Sequence, residues 1–147
     1  MLQNLLALEP ELMAHLVQAL AGVSPAVHVL CAADLADVRE EVQLTPAVQV
    51  IYHGTRIVQS RSDGRAARIS QTWLLVVATR NVRGLKSGAD ARASAGVLAA
   101  TVARAVMGWR APSAATPFVL ADAPAAGYSA GHQYLPLGLE AELVLQP

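Results

Sequence analysis

From Leu135 to Gln146 the chain alternates strictly: Leu135, Leu137, Leu139, Ala141, Leu143 and Leu145 are apolar, with Pro136, Gly138, Glu140, Glu142, Val144 and Gln146 between them. Successive strand residues point to opposite faces, so this spacing specifies one long strand with a buried face and a mostly wetted one. Such a strand is stable only within a larger sheet packed against a second layer. Pro136 and the chain end place it toward a sheet edge, where a missing amide is tolerated.

Its neighbours can be sought upstream. Trp73-Leu74-Leu75-Val76-Val77-Ala78 is apolar on both alternate faces, which predicts a central strand covered on both sides, led in by Ile69-Ser70-Gln71-Thr72. Ala47 to Tyr52 is β-prone, His53-Gly54 reads as a tight turn, and Arg56 to Gln59 as the returning strand of a hairpin. Asp63-Gly64 marks a second turn within Arg61 to Arg65. Shorter strands are expected at Ala26 to Ala32 and Phe118 to Leu120. Asp34 to Glu41 reads as a turn or short helix whose acids face water, and Asp122 to Gln133 as a loop rich in Gly, Pro and Ala.

The second layer is helical. Pro10 suits a first helical turn, and Leu12, Leu16, Val17 and Leu20 follow at helical spacing until Gly22 and Pro25. The clearer helix takes Asp90 as its N-cap and sets Ala95, Leu98, Ala99, Val102 and Val106 on one stripe; Gly108 stops it and Pro112 prevents its resumption. The expected fold class is therefore α+β: a mixed, mainly antiparallel β-sheet flanked by two main helices, one N-terminal and one long and alanine-rich near 90–108. At 147 residues the chain has the length of one domain able to bury roughly 70% of its unfolded surface, and it shows no repeat and no second domain.

Chemistry has few places to reside. Gly127-Tyr128-Ser129-Ala130-Gly131 matches G-x-S-x-G, but a nucleophile elbow needs a strand before the serine, a helix after it, and then an acid followed by a histidine. Here a Pro/Ala loop precedes Ser129, a strand follows, and His132 comes before Glu140 and Glu142. His15, His28, His53 and His132 form no metal-ligand spacing, so each reads as a surface or cap residue. No glycine-rich phosphate loop is present. The expectation is no catalytic site, no metal and no cofactor. Cys31 is the lone cysteine, which excludes an intramolecular disulfide and fits a reducing compartment. No run of about 18 apolar residues occurs and no basic segment precedes the first apolar one, so synthesis in the cytoplasm without membrane insertion is expected.

Charge is balanced in total but not in placement. Eleven bases match eleven acids, yet Arg56, Arg61, Arg65, Arg68, Arg80, Arg83 and Lys86 fall in one stretch with the single acid Asp63. The stretch reads either as solvated loops at strand ends or as a basic edge facing an acidic edge on a neighbouring subunit, or DNA in a channel. Arginine outnumbers lysine ten to one, which favours fixed bidentate pairs over a diffuse cationic surface. Aromatic residues are 4% of the chain; Trp73 and Trp109 read as core plugs rather than stacking platforms.

Three segments together resemble the Mu-like phage tail terminator family: the strand QTWLLVVATRN at 71–81, the helix ADARASAGVLAATVARAVMGW at 89–109 closed by Pro112, and Tyr128, Gly131, Tyr134 and Leu135 ahead of the last strand. The likeness runs from about residue 45 onward and rests on packing motifs, which speak to fold before activity. It implies a sheet flanked by helices, assembled into a homo-oligomeric ring, six-membered, that caps the head-proximal end of a phage tail. Its implied partners are the tail tube protein and a head–tail connector protein, with DNA passing in the lumen. By the same analogy Gln59 to Arg68 is the expected ring contact or lumen-facing loop. Two rivals stand beside this reading: another head–tail completion protein, and a small ligand- or peptide-binding module using Asp122 to Gln133 as a lid.

Overall fold

The computed structural model describes residues 2–36, 38–80 and 89–147. In chain order these form helix α1 (Leu8–Ala19), strand β1 (His28–Cys31), the short helix α2 (Ala32–Leu35), a 3₁₀ turn (Glu40–Val42), β2 (Ala47–Ser60), β3 (Ala67–Arg80), α3 (Ala89–Val106), β4 (Val119–Ala121), β5 (Gly127–Ser129) and β6 (His132–Leu145). The sheet runs β1-β2-β3-β6-β4, with β5 also on β6. The β1–β2 pair is parallel and every other pair antiparallel, so the α+β expectation holds.

Both helices cover the same sheet face. Val48 and Val50 of β2, Ile69, Trp73, Leu75 and Val77 of β3, and Leu139, Ala141 and Leu143 of β6 meet Leu8, Leu12 and Leu16 of α1 and Ala95, Leu98, Ala99, Val102 and Val106 of α3 in one core. The α3 stripe is the one its spacing predicts. In α1 the stripe is Leu8, Leu12, Leu16 and Leu20, whereas Val17 is 60% exposed, because a four-residue step keeps closer to one helix face than the step to Val17. Asp90 lies in the first turn of α3 rather than before it. His15 joins the helices: its Nε2 is 2.7 Å from the Ala105 carbonyl, and its ring stacks on Trp109 with centroids 3.8 Å apart. Ser113 fastens the linker after α3 to α1 by donating to Glu11 from both backbone and hydroxyl.

Two local expectations are corrected. His53-Gly54 is no turn: β2 continues through a bulge at His53 and a second at Val58, and the hairpin turns at Arg61 to Ala66. A bulge holds the extra residue without reversing the chain, and in the sequence it leaves the same polar-glycine mark as a turn. The segment 122–133 is not one loop, since β5 and the start of β6 form a tight hairpin inside it. Its two turn residues, Ala130 (φ 51°) and Gly131 (φ 78°), both adopt the left-handed conformation that two-residue hairpins require. β6 lies toward the sheet edge as expected, second from it. β4 and β5 pair with its residues 138–140 and 132–134, leaving Pro136 in the gap between them.

That gap explains Gly138. A Cβ there would lie 2.5 Å from the Asp122 carbonyl oxygen and 2.6 Å from that of Ala121. The chain leaving β4 can cross β6 so closely only where no side chain stands.

Candidate functional site

Four of the seven bases singled out in the sequence gather at one end of the sheet. Alternation along β2 and β3 puts Arg56 and Arg68 on the face away from the helices, in a ladder with Glu140 and Glu142 of β6. Arg56 Nη2 is 3.3 Å from Glu140 Oε1, and Arg68 Nε is 3.7 Å from Glu142 Oε2. More than half of each arginine side chain is exposed, so each pair contributes at most about 1 kcal/mol. At the turn, Arg61 pairs with Asp63 at 2.6 Å, and the other Asp63 oxygen accepts the Arg65 backbone N–H at 3.0 Å. Asp63, the one acid of the basic stretch, thus shapes the turn while the Arg65 side chain stands exposed. Arg80 lies at the far end of β3, about 40 Å along the strand from Arg68. Arg83 and Lys86 lie outside the described residues. A stretch continuous in sequence is therefore divided between two ends of the sheet.

The hairpin that carries the four bases extends past the helical cover. Beyond Tyr52 almost every β2 residue is exposed, although its partners on β3 remain largely buried. β1 pairs only with Ala47 to Val50, so from Ile51 to Ser60 the outer edge of β2 has no strand beside it among the described residues.

The G-x-S-x-G segment is the β5–β6 hairpin. Ser129 ends a strand, a two-residue turn follows, and its hydroxyl donates to Glu40 at 3.0 Å. The Tyr134 hydroxyl donates to the other Glu40 oxygen at 2.7 Å. These bonds, the Tyr134 one foremost, hold the Glu40 carboxyl below its usual range. Burial, reinforced by the bond to Glu40, pushes the Tyr134 phenol above its usual range. Glu40 therefore fastens the 3₁₀ turn to the hairpin across the sheet face opposite the helices, and does not simply face water. No strand-to-helix elbow exists at Ser129, and the arrangement is structural.

His132 is buried, 1% exposed, and neither ring nitrogen has a hydrogen-bond partner among the described residues, so it is no surface residue either. Trp73 is fully buried and donates to Gln71 Oε1 at 3.2 Å, while Gln71 Nε2 donates to the Leu5 carbonyl at 2.7 Å. Trp109 is half-buried between His15 and Phe118. A cavity of about 610 Å³ is lined by Val23, Pro25, Val27, Thr79, Leu98 and Thr101 among others, and by no described residue from 122 to 133. The segment read as a lid does not cover it. Among the described residues no helix is long and apolar enough to cross a membrane, and no three metal-binding side chains converge.

The sequence missed the open β2 edge and the Glu40 tether. The edge follows from the shortness of β1 against β2, which only pairing reveals, and the tether joins residues some ninety positions apart.

A family model described as phage tail terminator protein matches residues 1–146. It includes the first 44 residues, where the motif resemblance was weakest. No curated protein matches the chain.

Proposed function

The chain belongs to the phage tail terminator family, and from that premise we propose that copies of it close into a ring, six-membered as in the Mu-like resemblance, at the head-proximal end of the tail tube. It is a structural component of the virion tail and not an enzyme, and it acts through contacts with other tail and head proteins. In the proposed ring each copy is a single domain, folded in the host cytoplasm before assembly. One ring face binds the last layer of tube protein and the other meets the head–tail connector. Growth stops because the outer face offers no template for a further layer.

The observation that supports this reading best is the β2–β3 hairpin, which projects Arg61 and Arg65 beyond the core on a stem whose β2 strand has one open side. A basic finger of this kind suits a neighbouring subunit, the tube, or the phosphates of DNA in the lumen, with no reading of base sequence. Arg80, at the opposite end of the sheet, is proposed as a second contact, and Arg83 and Lys86 as further interface residues. Replacing Arg61, Arg65 and Arg68 together by Gln tests the hairpin. Only exposed pairs of small worth are lost, so thermal unfolding of the monomer should hardly change. Ring mass by native mass spectrometry and docking onto tails should weaken by about tenfold or more. Unchanged assembly and virion yield would remove the hairpin from the mechanism.

A further inference from the structure

Among the described residues the sheet has two open sides. One is β2 from Ile51 to Ser60; the other is the interrupted strand made by β4 and β5. Each side carries an apolar residue at the rim of the core on the helix-covered face. Ile57, in register with buried Ile69, is 62% exposed, and Leu120, in register with buried Leu139, is 52% exposed. An isolated exposed apolar residue needs no explanation, but one beside the core at each unpaired edge means that the core layer ends unfinished on both sides.

The geometry points to a continuous intersubunit sheet, in which the open edge of β2 in one copy pairs with β4 of the next. Direction and height agree with this. β2 and β6 run one way and β3 and β4 the other, so copies arrayed around an axis along the strands bring β4 antiparallel to β2. Leu120 is level with Leu139, Trp73 and Tyr52 along the sheet, so a ring without axial rise sets it against the start of the open edge. Leu120 then meets Tyr52, with Thr55 and Ile57 following on the same face toward the hairpin, and the contact joins two cores. The contact is head-to-tail, the kind that closes into rings, whereas β2 pairing with itself would stop at a dimer. This inference rests on the ring reading and names its seam.

The test is disulfide trapping in assembled tails, in a Cys31→Ser background. Leu120→Cys is combined in turn with Tyr52→Cys, Thr55→Cys and Ile57→Cys. At least one double variant should give a ladder of linked chains beyond the dimer, while each single variant gives none. Linked dimers from Ile57→Cys or Tyr52→Cys alone would mean that β2 pairs with itself, and would overturn the proposal. No ladder from tails that still contain the ring would overturn the seam and leave the ring reading intact. Absence of any ring in tails would remove both. Leu120→Lys supplies an independent check: ring formation should fall about tenfold or more with the monomer's circular dichroism unchanged, and unaltered ring formation would count against the seam.

Discussion

At the scale of single residues, the fold depends most visibly on positions where a side chain would collide with backbone. Gly138 lets the chain leaving β4 cross β6, and the carbonyls it would strike belong to main chain that cannot turn aside. Gly138→Ala should lower stability by about 1–3 kcal/mol or more, read from denaturant unfolding. Gly96 is the control: it lies inside α3 with nothing within 4 Å of a built Cβ, so Gly96→Ala should raise stability by about 0.5–1 kcal/mol. Equal effects at the two positions would contradict this account of the crossing. Neither role could be read from sequence, because both glycines sit in well-patterned elements and differ only in what lies opposite them.

At the scale of elements, legibility followed periodicity. The alternation of β6 and the stripe of α3 were visible because each repeats along ten or more residues with one face against the core. β2 was read as two strands because its bulge at His53 interrupts the period without ending the strand, and β5 was hidden because three residues carry no period. The basic stretch was legible as composition, but its division between two ends of β3 depends on strand length and pairing. The Glu40 tether belongs to this scale, since it joins the 3₁₀ turn to the β5–β6 hairpin. Its folded-state pKa lies below the ordinary 4.5, so the tether's contribution is fully present above that value and is lost as pH falls through the folded pKa. An NMR titration should find Glu40 below the ordinary carboxylate range, moving up toward it in Tyr134→Phe and further when Ser129→Ala is added. An ordinary Glu40 titration in the unaltered chain would contradict the tether.

At the scale of the whole molecule, the described residues form a helix-covered sheet left open at two sides, and the proposed ring is built on those edges. The family match fixes a structural role in the phage tail; in the proposed ring the open edges and projecting hairpin carry that role. Chain termination by geometry needs no catalytic group: a ring whose inner face fits the tube and whose outer face differs is sufficient. The most direct test is electron microscopy of tails assembled in the absence of this chain, with their length distribution compared with the complete virion. Overlong or unfinished tails that fail to join heads are the predicted result; tails of normal length that join heads would contradict the account.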